Sequence, residues 1–402
     1  MKKSKTATAA AFLTVLAACL LLVLAGAARV ALGLQAPVAV SRYAPGEEGI
    51  TYLGLVEWFE DTCRAFCTTE LPGRVKLKEA NAGLNRLAGK WIFESTSPEV
   101  VRLKNGYLES IGNFYYYLTQ PEEKVADFSA WVEESLGCPY LYVQAPCKLC
   151  ALDNQLPLPE MTNNNDQADW LLERLEESGV AALDLRENLH KDGLDHYSCF
   201  YVTDHHWTME TGLWAAGVLA EELNARYDME LDESVLAEER FSDRTWEKAF
   251  LGSQGRKVTL ACAQPEDFIL PVPDFDASLR LTVPEWGLDL TGGFEILYDE
   301  EKIVPEDYYA GNSYGAVMMG DCPYIKVENL DNPGGPVVAV LRESFAIAPA
   351  PYLALAAGEL HLIDARYYSG SVKELLEEIR PDVVLSLLNV QCHTGAYFDM
   401  IQ

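Results

Sequence analysis

Six consecutive residues, Thr203-Asp204-His205-His206-Trp207-Thr208, set a carboxylate two positions before an imidazole. A neutral serine hydroxyl is a weak nucleophile. Acyl transfer through one needs a base within hydrogen-bond reach and a third group that holds the base in the right tautomer. Asp204 and His206 have the residue types for orienter and base. In an extended segment, positions i and i+2 leave the chain on one face, so the Asp204 carboxylate is predicted to meet the His206 ring while His205 points the opposite way. Ser344, just beyond the apolar run 337–341, is the candidate nucleophile. Its backbone N–H is placed to serve an oxyanion, and Asn389, just beyond the run 383–388, could add a side-chain donor.

Spacing alone is a weak signal, because D-x-H triplets arise by chance and serines follow strands in most α/β proteins. The plain alternatives are a helix-capping carboxylate for Asp204 and a hydrogen-bonded core histidine for His206. A metal reading would use Asp204, His205, His206 and His196. Adjacent histidines seldom converge on one ion from a strand, so no metal and no cofactor is expected.

Strands and helices must position these groups. Helical spacing covers residues 55–66 and 125–136; an apolar strand follows at 140–145, then a helix at 168–177 and a strand at 181–185. Leu213, Ala216, Ala220 and Leu223 keep the spacing of a helix after the D-x-H segment, with Thr208 as its N-cap. Residues 228–333 read as an insertion rich in short strands, such as 279–283. Its Tyr308, Tyr309 and Tyr314 either line a sugar site or pack. The last seventy residues alternate clearly: strand 337–341, helix 351–357 with proline at its start and Gly358 after it, strand 360–363, helix 372–379 and strand 383–388. A serine at the carboxyl end of a parallel strand stands where open α/β sheets hold their ligands.

The 402 residues carry 61 acidic and 31 basic side chains, a formal charge of −30, and such a surface repels DNA and RNA. With 49% apolar residues the chain can bury a large core. Lys2, Lys3 and Lys5 precede an uncharged run at 6–28, long enough at ~1.5 Å per residue to cross a bilayer of roughly 30 Å. Positive residues before the run keep that end cytosolic and send the rest outside. Three readings stand in order of preference: a single-pass membrane anchor, a cleaved signal peptide ending near Ala25-Gly26-Ala27, and a lipoprotein using Cys19. On this basis residues 1–34 are tip and anchor or signal, 35–50 a linker, and 51–402 one α/β domain with its insertion at about 228–333. Nine cysteines follow the apolar run, an odd number that cannot all pair within one chain. Cys147-Lys148-Leu149-Cys150 is read as a disulfide or plain thiols, because no second CxxC or histidine pair sits at finger spacing.

The D-x-H hexapeptide resembles the signature of the DHHW protein family, extracytoplasmic bacterial proteins similar to the SGNH hydrolase-like enzymes of alginate O-acetylation. Upstream, Leu84-Asn85-Arg86-Leu87-Ala88-Gly89-Lys90, Lys104-Asn105-Gly106-Tyr107-Leu108 and Ala145-Pro146-Cys147-Lys148 agree with it. Downstream, Glu343-Ser344-Phe345 with Pro351, Ile363-Asp364-Ala365-Arg366-Tyr367 and Leu388-Asn389-Val390 do so too. The sequence departs from the pattern at Glu343, where an aspartate is expected, and at Cys147, where a proline is expected.

The resemblance implies a three-layer α/β/α fold with a mainly parallel sheet and a permuted motif order, the D-x-H pair preceding the serine. It implies Asp204 as orienter, His206 as base, Ser344 as nucleophile and Asn389 at the oxyanion. Arg366 and Trp207 are candidate substrate residues, although a tie to Asp364 and a core position are their plainer roles. The activity implied is O-acetyl transfer or ester hydrolysis on a polysaccharide, with a membrane acyl-donor protein as partner. A non-catalytic glycan-binding or scaffold protein on the same fold is the alternative.

Overall fold

A computed structural model describes residues 74–93, 99–111, 120–157, 162–390 and 394–401. The expected anchor, the linker and the helix at 55–66 lie outside these residues, as do Cys19, Cys63, Cys67 and Cys392. Among the described residues no helix is long and apolar enough to cross a membrane. The chain divides into two units, Met1–Leu84 and Asn85–Gln402, and the second contains every described strand.

Three short strands, β1 (Ile92–Phe93), β2 (Glu99–Arg102) and β3 (Leu108–Ile111), make a small antiparallel sheet. The chain then passes through helix Pro121–Trp131 into β4 (Tyr140–Ala145), helix Asn164–Glu177 and β5 (Ala182–Asp184). β6 (Phe241–Phe250) and β7 (Glu266–Pro273) pair antiparallel with each other. Next come β8 (Leu279–Val283), β9 (Leu288–Gly292), β10 (Tyr324–Asn329), β11 (Val337–Arg342), β12 (Glu359–Ile363) and β13 (Val383–Asn389).

Eight strands form the main sheet in the order β5-β4-β13-β11-β12-β10-β8-β9. The first five are parallel, as the βα alternation of the sequence requires; β10, β8 and β9 continue the sheet antiparallel. The segment read as a strand-rich insertion, 228–333, contributes β8, β9 and β10 to the sheet itself. Alternate residues of each strand face opposite sides. Leu141, Val143, Val338, Val340, Leu385 and Leu387 pack with Leu213, Ala216, Leu219 and Leu223 of helix Met209–Tyr227. On the other face Tyr140, Tyr142, Leu341 and Val384 pack with Val125, Phe128, Leu171, Leu375 and Leu376, drawn from helices Pro121–Trp131, Asn164–Glu177 and Val372–Ile379. Helices therefore cover both faces, and the carboxyl ends of β11 and β13 deliver Ser344 and Asn389 to one end of the sheet.

Helix Met209–Tyr227 begins where its sequence predicts: Thr208 Oγ1 accepts the Thr211 N–H at 3.2 Å. Cys147 and Cys150 are both buried and form no disulfide with each other. Burial pushes the Cys147 thiol up to about 12, which keeps it protonated and unreactive.

Candidate active site

Asp204 and His206 are not on an extended strand. They lie in a tight turn closed by a bridge between Phe200 and Trp207 and by the Tyr201 N–H donating to the His206 carbonyl. The Asp204 carboxylate accepts the His206 backbone N–H at 3.1 Å and the His206 Nδ1–H at 2.5 Å from the same oxygen, Oδ1. The turn, rather than the period of a strand, brings the pair together, and it corrects the expectation for His205. That ring does not point away: it lies 3.8 Å from the His206 ring, with Nδ1 3.4 Å from Asp204 Oδ1 and 3.1 Å from Ser253 Oγ.

Ser344 follows β11 as the first residue of a 3₁₀ turn, Ser344–Ile347. Its Oγ is 2.7 Å from His206 Nε2. With Nδ1–H committed to Asp204, Nε2 carries the lone pair that can take the serine proton. The Ser344 hydroxyl has a second acceptor, Glu343 Oε2, at 3.1 Å. Ser344 is half-buried. A cavity of about 930 Å³ lined by Glu210, Trp214, Glu239 and Asp243 contains none of the three residues.

Several buried groups that residue spacing does not reveal hold the turn. The Thr203 N–H and hydroxyl and the Val202 N–H all donate to the Glu266 carboxylate. The Ser253 N–H donates to Asp204 Oδ2. The buried Lys148 ammonium donates to the carbonyls of Leu108 and Asp204 and to Gln254 Oε1. Tyr314 stacks on His206 and donates to the Ser344 carbonyl. These contacts join positions far apart in the chain; among the supporting side chains Thr203, Lys148 and Tyr314 lie in stretches that the sequence singles out, whereas Ser253, Gln254 and Glu266 carry no mark in it.

Burial by itself raises the Asp204 carboxyl, but the His205 and His206 rings and the hydrogen bonds from His206 and Ser253 outweigh it and hold the group well below the usual carboxylate range. Burial, then the neighbouring His206, pulls His205 down to about 3, so its ring is neutral. Burial raises the Glu343 carboxyl, and one of its oxygens has no hydrogen-bond partner among the described residues.

The other sequence candidates fall elsewhere. Trp207 is fully buried and its indole N–H donates to the Phe345 carbonyl at 2.8 Å, so it props the serine turn and offers no surface to a substrate. Arg366 forms a two-pronged pair with Asp364 at 2.9 and 2.7 Å, the tie that its spacing suggests. Asn389, at the end of β13, donates its amide to the Pro146 carbonyl at 2.9 Å. Donor atoms of Asp204, His205 and His206 converge within 4.8 Å, yet both ring nitrogens of His206 are engaged by Asp204 and Ser344.

Residues 122–266 match the family model described as the SGNH hydrolase-like domain of acetyltransferase AlgX; this span includes the D-x-H turn and ends before Ser344. Comparison with curated proteins finds no match. Among solved structures, Bacillus cereus PatB1 with a sulfonyl adduct superposes with a TM-score of 0.61 at 18% identity, covering 75% of this chain and 100% of that one. A second PatB1 structure gives 0.61 at 20% identity, over 74% of this chain and 98% of that one. A DHHW family protein from Eubacterium siraeum gives 0.58 at 17% identity, over 76% and 95%. The resemblance to DHHW and SGNH hydrolase-like proteins read from the motifs is thus shared by the family model and by the fold.

Proposed function

We propose that this chain is an SGNH-like serine acyltransferase or esterase that moves O-acetyl groups on a polysaccharide outside the cytoplasm. One observation carries the reading: His206 stands between Asp204 on Nδ1 and the Ser344 hydroxyl on Nε2, at 2.5 and 2.7 Å. It is supported by the match to a domain of acetyltransferase AlgX and by the fold shared with PatB1, a protein seen with a sulfonyl adduct.

In the reaction, Ser344 Oγ attacks the acetyl carbonyl carbon while His206 Nε2 takes its proton. The negative oxygen is met by the Ser344 N–H, and by the Asn389 amide if it releases Pro146. The bond to the leaving oxygen breaks as His206 returns the proton to it, leaving acetyl on Ser344. A sugar hydroxyl then loses its proton to His206 and attacks the acyl carbon, which frees Ser344. Water in that role gives the esterase, so exclusion of water from the acceptor site separates the two outcomes. The lysines before residues 6–28 support an outward-facing domain; a membrane acyl-donor protein is the partner that acetyl transfer there calls for. A second reading, a glycan-binding protein with an idle serine, draws on the competing Glu343 acceptor.

The test is trapping of the acyl-enzyme with an aryl acetate or a sulfonyl reagent, followed by peptide mass spectrometry. An adduct is expected on Ser344 in the wild type and in neither Ser344→Ala nor His206→Ala. A folded wild type that gains no adduct from the sulfonyl reagent overturns the catalytic reading.

A further inference from the structure

Cys150, His190 and His196 form a second cluster that shares no residue with the candidate active site. Cys150 lies in the loop after β4, His190 in the last turn of helix Leu185–Lys191, and His196 in the turn before Tyr197–Cys199. Cys150 Sγ is 4.0 Å from His190 Nε2, and one donor atom from each of the three residues lies within 4.8 Å of the other two.

His196 gives the cluster its direction. Its side chain is buried, at 7% exposure, and Nε2 faces the carbonyl oxygens of Cys147 and Lys148 at 3.0 and 3.1 Å. Two acceptors on that nitrogen place the proton there, which leaves a lone pair on Nδ1. Nδ1 is buried and has no hydrogen-bond partner among the described residues, which leaves it a desolvated acceptor. A ring N–H held by backbone carbonyls, with the opposite nitrogen presented bare, is the arrangement that orients metal-binding histidines. Burial also lowers the His196 pKa, in keeping with a neutral ring.

We propose that Cys150 Sγ, His190 Nε2 and His196 Nδ1 bind one zinc-class transition-metal ion, with water as the fourth ligand. A thiolate and two imidazoles suit zinc or its neighbours and reject magnesium and calcium. Tetrahedral zinc needs its donor atoms roughly 3.5 Å apart, so the ring of His190, partly exposed at a helix end, rotates inward to close the site. Cys150 gives up its proton as the ion binds. The ion would fasten three segments around the loop whose Lys148 donates to the Asp204 carbonyl. It braces the turn of the candidate active site without touching a reacting atom, and the site stands or falls independently of Ser344 acylation.

The experiment uses the full chain, stripped with chelator under reducing conditions and titrated with Co²⁺ and with Zn²⁺. One equivalent is expected, with a sulfur-to-cobalt charge-transfer band. Cys150→Ser loses the band, and both Cys150→Ser and His190→Ala bind at least about tenfold more weakly. His190→Ala removes a partly exposed side chain, so it keeps the fold if the buried Cys150 variant does not, and circular dichroism checks both. Asp204→Ala and His206→Ala keep the wild-type equivalent. A wild type without the band, or a metal lost from Asp204→Ala but retained by Cys150→Ser and His190→Ala, overturns the assignment. Neither result bears on the Ser344 adduct.

Discussion

The ring of Tyr314 lies against the imidazole of His206, centroids 4.1 Å apart and planes within 11°, and its hydroxyl donates to the Ser344 carbonyl at 2.9 Å. One side chain therefore touches both the His206 ring and the serine turn. Tyr314→Phe keeps the ring and removes one hydrogen bond, a loss of about 0.5–1.5 kcal/mol, so the acylation rate is expected to fall by up to roughly tenfold. Tyr314→Ala removes both contacts and falls further. Stopped-time sulfonylation measures this; equal rates in all three proteins would show that the ring positions nothing.

Asp204 is held in its charged form, and the sign of its pH effect follows. A carboxyl with a depressed folded pKa contributes stability fully above its unfolded value, about 3.9, and that contribution is lost as pH falls through the folded value. Asp204→Asn should therefore be less stable than wild type at pH 7, with the gap closing in strong acid. It should also slow acylation by a factor on the order of 10⁴, the size seen when an orienting aspartate is lost and the imidazole takes the wrong tautomer. Thermal midpoints across pH and adduct rates check the two halves separately.

Glu343 runs the other way. Burial raises its carboxyl, so ionisation destabilises the fold above the folded pKa, and the penalty disappears below the unfolded value of about 4.3. Glu343→Gln is expected to raise the melting temperature at pH 8 and to leave it unchanged at pH 3. If Glu343 competes with His206 for the serine proton, the same variant acylates at least as fast as wild type at pH 8. A slower variant would make Glu343 a helper of the serine.

Gly252 is required for close approach rather than for an unusual backbone angle. A Cβ there would sit 2.3 Å from Asp204 Cβ and 2.6 Å from the Thr203 carbonyl oxygen. Gly252→Ala should cost about 1–3 kcal/mol and displace the Asp204 turn. Adduct formation then drops more than the folded fraction does, which parallel activity and denaturation measurements would resolve.

Local signals make the βα alternation readable. The spans 140–145, 372–379 and the Thr208 cap agree with the structure because apolar period and capping chemistry act over a few residues. The contact between Asp204 and His206 is expected from the sequence for a reason that does not hold: their two-residue spacing suggests a strand, whereas Asp204 Oδ1 folds back on the His206 N–H. The same error sends His205 the wrong way. Lys148, Glu266, Ser253 and Tyr314 are silent in the sequence as supports of the Asp204–His206–Ser344 arrangement, because a buried ammonium on a carbonyl 56 positions away leaves no mark in spacing. For Trp207 a core position is the plainer reading of the sequence, and the structure has it buried; that its indole N–H serves the Phe345 carbonyl shows only in the packing.

β12 is paired on both sides, by β11 and by β10, and β10 in turn carries β8 and β9. Attempts to simplify the protein by deleting the segment that contains β8 to β10 would strip that cover and leave a largely buried strand with a row of unsatisfied backbone groups. Such an edge invites pairing with other chains, so the shortened product should precipitate or form fibrils rather than yield a smaller soluble protein. The turn between β8 and β9, where Trp286 is 55% exposed, is the safer place for a tag or a label.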